Sequence, residues 1–334
     1  MDRLPDIART RLMDARRRPQ RRRTLRELGL SDADIRRLVR RRELQHHHGF
    51  YIDGGLDEEL AAIACARASY PGSVISHLSA AGLAGLRTWT DSRRPNASPA
   101  DAVWLTRPPN AKRNQRRPDI VVRRAGLPPY DVTRSLWLPV TTVARTVVDL
   151  ARELEFREAI VTIDHALRTG TPIEALTAVL DLQHHWPGVR RARTAIAFGD
   201  PRSESALESI ARAAFAAAGL PAPVLQVQFF DGFRWLPERV DFWWPWFRTV
   251  GEADGLAKYD GDTPEERRRR LRQSHLRDQR LSDRGVELVH FGWEDVVVNP
   301  LALAGRFRAA FRRGAARTGD EPTWRSLTPN PHAA

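Results

Sequence analysis

Asp241, Glu252 and Asp254 are the residues whose types and spacing point most directly to chemistry. The stretch Phe242 to Gly251 between the first two is apolar at both ends and broken by Pro245. With a turn centred on Trp246 and Phe247, Asp241 and Glu252 face each other across a hairpin. Directly opposed strand side chains hold their Cβ atoms about 4.5–5.5 Å apart. Asp254 shares the face of Glu252, because strand side chains alternate with period 2. Three acids then converge among Val240, Phe242, Trp243 and Val250. Carboxylates at that spacing repel unless a cation stands between them, and hard oxygen donors suit Mg²⁺ or Mn²⁺. The plainer alternative is three solvated strand ends, although two opposed acids with a third on one face make an uncommon surface pattern.

The elements that would position these acids can be read on either side of them. A helix from Ser205 to Ala218 is ended by Gly219 and Pro221. Strands are expected from Val224 to Phe230, Arg234 to Trp244 and Arg248 to Asp254, with turns at Asp231-Gly232 and Pro245 to Phe247. A charged helix from Pro264 to Asp283, a strand from Val286 to Phe291 and a helix opening at Trp293-Glu294-Asp295 complete an α-β-β-β-α-β-α order. The break Phe198-Gly199-Asp200-Pro201 is expected to open this domain.

The front of the chain reads differently. Thr24 to Glu27 and Ser31 to Asp34 are capping-box patterns, with Gly29-Leu30 as the turn between two helices. The second helix, Asp32 to about Arg42, gathers Ile35, Leu38 and Val39 on one face and Arg36, Arg37, Arg40 and Arg41 mostly on the other. A β-ribbon from Leu44 to Ile52 would make this a winged helix-turn-helix, a module that holds DNA. Beyond it lie a helix from Asp57 to Ser69, a helical segment from Leu78 to Leu86 and a loop from Trp89 to Pro99. Strands at Val103 to Thr106 and Ile120 to Arg123, a helix capped by Thr141-Thr142 and two further helices follow. The expected class is therefore a multidomain α+β or α/β chain. Its domains are residues 1–55 (winged helix-turn-helix), 56–198 (scaffold), 199–312 (site domain) and 313–334 (polar, proline-bearing, expected disordered).

Composition narrows the partners. The chain of 334 residues carries a net charge of +13 and a sequence pI near 11.1, a balance that favours a polyanion through counterion release. No run approaches the 18 or more apolar residues of a membrane helix, and the Arg-rich N-terminus lacks a secretory signal. The single cysteine, Cys65, leaves no internal disulfide and no Cys-based zinc site. A cytoplasmic location is expected. His46-His47-His48 occupy adjacent ribbon positions that point to different faces, a poor spacing for one shared metal.

The set Val240-Asp241-Phe242, Gly251-Glu252-Ala253-Asp254-Gly255 and Lys258-Tyr259 resembles the PD-(D/E)XK nuclease superfamily. Within it, the likeness is to the branch similar to very-short-patch-repair endonucleases. That branch's helix Glu, strand Gln and terminal Trp-Glu-Asp turn are matched by Glu208, Gln226 and Trp293-Glu294-Asp295, so the likeness spans residues 203–298. The front half resembles the AbiEi-type antitoxin module, through Ser76 to Ala81 and Thr141 to Leu150. The resemblance implies a restriction-endonuclease-like αβββαβ fold in which Asp241 and Glu252, with Asp254, ligate Mg²⁺ or Mn²⁺. Glu208 and Lys258 would complete the site. The superfamily's Lys two residues after the second acid is absent, with Asp254 in its place. Lys258 is the candidate for the missing charge, or an ordinary surface lysine. Glu208 also reads as the far end of a capping box with Ser205. DNA is the implied partner, with Arg36, Arg37, Arg40, Arg41, Arg267 and Arg268 as candidate contacts. Two functions stand side by side: a Mg²⁺-dependent DNA endonuclease, and an antitoxin-like DNA-binding regulator with an inactive nuclease fold.

Overall fold

Leu25, Leu30, Ile35, Leu38 and Leu44 bury themselves against one another and so fix the first helices of the chain. The structure, a computed structural model, describes residues 17–94, 99–112, 117–254 and 263–327. The chain combines helices with mixed sheets and divides into two units, Met1–Gly85 with Arg94–Thr146, and Leu86–Arg93 with Val147–Ala334. Among the described residues no helix is long and apolar enough to cross a membrane.

In the first unit, α1 (Arg22–Glu27) and α2 (Asp32–Arg40) are followed by β1 (Leu44–His47) and β2 (Phe50–Asp53). Ser31 caps α2 reciprocally: its Oγ accepts from Asp34 N–H, and the Asp34 carboxylate accepts from Ser31 N–H at 3.1 Å. Helix α1 instead starts ahead of Thr24, at Arg21, without a side-chain cap, so the Thr24 capping box is not formed. β1 and β2 are antiparallel, and both loop residues, His48 (φ 52°) and Gly49 (φ 80°), are left-handed, as the tight hairpin turn requires. Arg36, Arg37 and Arg40 on α2 and Arg41 at its C-terminal cap are all exposed, with Arg37 donating to Asp34 at 2.6 Å.

Next come α3 (Glu58–Ser69), β3 (Val74–Ile75), α4 (His77–Leu83), β4 (Val103–Arg107), β5 (Ile120–Arg124), β6 (Val132–Ser135) and β7 (Leu138–Thr141). Their strands form a sheet ordered β5-β4-β3-β7-β6. The hairpin β6–β7 was not expected from the sequence. It is short, carries Arg134 opposite Pro139, and shows no period-2 alternation of apolar residues. Helix α5 (Val143–Glu153) contains the division between the units.

The second unit continues with α6 (Phe156–Arg168), α7 (Ile173–Leu182) and α8 (Val189–Phe198), three helices where two were expected. Then follow α9 (Ala206–Ala217), β8 (Val224–Phe230), β9 (Trp235–Trp244), β10 (Thr249–Ala253), α10 (Pro264–Ser282), β11 (Glu287–Phe291), α11 (Trp293–Val297), α12 (Pro300–Ala315) and β12 (Trp324–Ser326). The sheet runs β11-β10-β9-β8-β12, parallel only between β10 and β11. Helix α9 presents Phe215 to Phe242, Trp244, Phe291 and Phe307, so one aromatic core ties α9 to β9, β11 and α12. Gly251 permits that packing, since a Cβ there would meet the Phe307 ring at 3.0 Å.

Residues 147–198 share this unit with the segment after residue 199, across the Phe198–Pro201 break. A buried ion pair from Arg212 on α9 to Asp164 on α6, at 2.8 Å, helps hold them. The tail expected to be disordered from residue 313 is ordered through Leu327: α12 runs to Ala315 and β12 pairs antiparallel with β8. Residues 328–334 lie outside the described set.

Candidate active site

Ser205 breaks the chain into α9, and its Oγ accepts from the Glu208 N–H at 3.1 Å. The Glu208 carboxylate returns the contact, accepting from Ser205 Oγ at 2.7 Å and from the Glu204 N–H at 2.8 Å. This is the capping role allowed by the sequence, and a second role is joined to it. Glu208 is only 7 % exposed and also accepts from Gln226 Nε2 at 3.0 Å. Gln226 sits at φ 52°, a rare left-handed position within strand β8. The β8–β9 ladder pairs Leu225 with Phe242 and Val227 with Val240, so the residue that Gln226 faces is Asp241.

Strand β9 brings Asp241 toward β10. The ladder between them pairs Thr249 with Trp244, Val250 with Trp243 and Gly251 with Phe242. One further step sets Glu252 against Asp241, and the Asp241 carboxylate accepts from the Ala253 N–H at 2.8 Å. Glu252 is 3 % exposed. Burial, and then the Asp241 charge beside it, push its carboxyl up to about 8. Glu208 is pushed up to about 7, again by burial first and Asp241 second. Asp241 is thus the common neighbour of two acids whose ionisation is held back. An arrangement that makes ionisation difficult without a compensating cation is characteristic of functional sites.

Arg277, from α10, forms an ion pair with Glu252 inside the unit. Burial opposes the guanidinium charge, but Glu252 outweighs it and raises Arg277 above its usual value. Among the described residues, Arg277 thus sets a positive charge beside the acids. Lys258 and the Arg267 side chain lie outside the described residues, and Arg268 is exposed on α10. Above about pH 8, where Glu252 ionises, removal of Arg277 leaves an uncompensated buried charge, at about 3–5 kcal/mol. At that pH Arg277→Ala should therefore lower the unfolding free energy by that order, seen as a lower denaturant midpoint, and Arg277→Lys should restore part of it. An unchanged midpoint in Arg277→Ala would mean that this pair is not buried in solution.

Asp254 takes a different place from the one expected. It ends strand β10 beside β11, and its Oδ2 lies 3.0 Å from His290 Nδ1, while the other ring nitrogen meets Asp278 Oδ2 at 3.1 Å. His290 is the register partner of Glu252 on the parallel strand β11. The Asp254 hydrogen bond, with Asp278 nearby, raises the imidazole above its ordinary value against the effect of burial. The acids named from the sequence thus form a pair, half-buried Asp241 and buried Glu252, and a half-exposed carboxylate joined to a histidine.

Arg277 and His290 were missed by the sequence reading. Arg277 is one of many arginines on a charged helix, and no periodicity marks the one that turns inward. His290 does carry a signal: it is a titratable residue set between Val289 and Phe291 in the strand Val286 to Phe291. The Trp-Glu-Asp turn is structural as well. Asp295 accepts from the Gly292 N–H at 2.9 Å and from Arg306 at 2.7 Å, capping α11. The three consecutive histidines go to three different partners: His46 to Tyr51, His47 to Gln45 and His48 to Asp119.

Among the described residues, no three His, Cys, Asp or Glu side chains close on one point as a metal cage. Mg²⁺ does not require one, since it keeps several waters and takes one or two carboxylates. The Asp241–Glu252 pair, whose charges cannot coexist comfortably without a cation, fits that demand.

No model of a known protein family matches the chain. Two proteins of Mycobacterium tuberculosis, from strains CDC 1551 / Oshkosh and ATCC 25618 / H37Rv, are each 35% identical over 170 residues. The match covers 50% of this chain and 59% of each relative, so the chain spans less than two thirds of their length. Both carry the description uncharacterized protein, which names no activity.

Proposed function

We propose that the second unit carries a PD-(D/E)XK-type nuclease domain that hydrolyses phosphodiester bonds in DNA, and that the helix-turn-helix and hairpin of the first unit hold the duplex. The observation that carries this reading is the opposed pair Asp241 and Glu252, with Glu208 and Gln226 packed behind Asp241 and Arg277 set against Glu252. In this reading Asp241 and Glu252 hold Mg²⁺ or Mn²⁺, whose chemistry is to polarise the scissile phosphate and acidify a bound water. The chain's own groups do the rest. Gln226 and the Ser205 hydroxyl fix the Glu208 carboxyl. Arg277 supplies a fixed positive charge where negative charge builds up on a phosphate. His290, held at both ring nitrogens by Asp254 and Asp278, is placed to carry a proton at the edge of the site. The exposed Arg36 and Arg40 of α2 and Arg41 at its C-terminal cap, with Arg268 of α10, are the proposed backbone contacts.

The test is cleavage of supercoiled plasmid in Mg²⁺ or Mn²⁺ and in chelator, with wild type beside Asp241→Ala. The expected result is metal-dependent nicking that the variant loses. Equal cutting by both proteins would remove Asp241 from the site.

A second reading rests on one observation. The motif's lysine position holds Asp254, and that carboxylate is engaged by His290. An antitoxin-like regulator with a silent nuclease fold would bind DNA in a salt-dependent way and cut in no divalent metal. Failure to bind DNA at low salt would exclude it.

A further inference from the structure

In the first unit, Arg18, Arg67 and Arg134 line one cavity of about 500 Å³, together with Pro19, Ala68, Trp137 and Pro139. The walls are built by three separate elements. The Arg18-Pro19 segment is anchored by Gln20, which exchanges backbone hydrogen bonds with Tyr51 of β2 at 2.8 Å in both directions. Arg67 stands in the last turn of α3. Arg134 and Trp137 flank the β6–β7 turn, where Arg134 donates to the Trp137 carbonyl at 3.1 Å.

The charge of this cavity is unbalanced. Among the described residues, no carboxylate forms an ion pair with any of the three arginines, whereas Arg145 of the same unit has Asp131 at 2.8 Å. Arg67 Nε is fully buried and has no hydrogen-bond partner among the described residues. Burial, and then Arg134, lower the Arg67 guanidinium below its usual value. A half-buried guanidinium with an enclosed, unpartnered Nε and a second arginine beside it leaves a place for an anion. Arginine forks match the oxygens of phosphate in particular. The cavity is too large for that group alone and lies within the 300–1,000 Å³ range of small-molecule sites. Its proline, alanine and tryptophan walls suit a flat apolar ring.

We infer that this cavity binds a phosphate-bearing aromatic ligand of nucleotide size, with the phosphate on Arg18, Arg67 and Arg134 and the ring against Trp137. The same chemistry is offered by a free deoxynucleoside monophosphate and by the phosphorylated end of a DNA strand. It is a site separate from the acids of β9 and β10, so its presence or absence leaves the nuclease reading untouched.

The experiment is calorimetric titration of the full chain, at fixed ionic strength, with four probes: inorganic phosphate, a deoxynucleoside 5′-monophosphate, the same deoxynucleoside without phosphate, and a 5′-phosphorylated oligonucleotide. Wild type is compared with Arg67→Gln, Arg134→Gln and Arg312→Gln, the last removing an exposed charge on α12. The phosphorylated probes are expected to bind wild type, the bare nucleoside is not, and Arg67→Gln should weaken binding about tenfold or more. Arg134 is exposed, so its substitution tests the site without disturbing the core. Arg312→Gln should change affinity by less than about twofold, as expected for a screened surface charge. Tighter binding of the monophosphate than of the oligonucleotide identifies a free nucleotide as the source, and the reverse order identifies a strand end. Equal affinities across wild type, Arg67→Gln, Arg134→Gln and Arg312→Gln would overturn the inference.

Discussion

Asp241→Asn is expected to make the metal-free protein more stable while removing metal-dependent cleavage. The asparagine keeps an oxygen for the Ala253 N–H, which the Asp241 carboxylate accepts at 2.8 Å. It removes the charge that presses on both Glu252 and Glu208. Relief of that repulsion is worth on the order of 1 kcal/mol, which for a unit of this size is about 2–4 °C in Tm. Cleavage should fall by at least about 10²-fold, the loss seen when one preorganised charge-stabilising group is removed. Calorimetry in chelator and plasmid nicking in Mg²⁺ read the two effects from one preparation. A variant that melts lower and cuts normally would show that Asp241 is a structural acid. The opposite signs are informative together, because a site arranged for a cation carries repulsion that the empty fold has to tolerate.

The second large effect is a pH dependence that a divalent cation should abolish. Glu252 is ordinarily 4.5 and stands at about 8 in the folded chain. Between those values the unfolded chain has released a proton that the folded chain still holds. The folded state binds more protons, so stability must fall as pH rises through this window. The contribution is fully present below about pH 4.5 and is lost by about pH 8, and it amounts to a few kcal/mol. Glu208, at about 7, adds to the same trend over a narrower range. A cation bound between Asp241 and Glu252 favours the ionised carboxylates and competes with the proton. Millimolar Mg²⁺ should therefore raise Tm more at about pH 8 than at about pH 5, following the linkage of ligand binding to folding. A Mg²⁺ effect of equal size at both pH values would mean that the cation binds elsewhere.

Much of the site domain was legible in the chain itself. The strand pairing of β9 with β10 follows from Pro245 and the alternating residues on either side, and the observed register runs to Phe242 and Gly251, the neighbours of Asp241 and Glu252. Ser205 and Glu208 announce the start of α9, and Ser31 and Asp34 the start of α2. Those features are local, being set by turn chemistry, capping and period, and so can be read from a window of residues. The β6–β7 hairpin and strand β12 escaped the same reading because each is short and gains its stability from a neighbouring strand.

The sequence by itself determined the acids, their opposition across a hairpin, the helices that flank them and the basic character of the chain. Tertiary structure decided what surrounds those acids. It selected Arg277, one arginine among many on α10, to meet Glu252, and it joined Asp254 to His290. It also gathered Arg18, Arg67 and Arg134, far apart in the chain, around one cavity. The physical reason is the same in each case: which charged side chain is buried depends on packing between elements distant in sequence, and periodicity within one element carries no record of it.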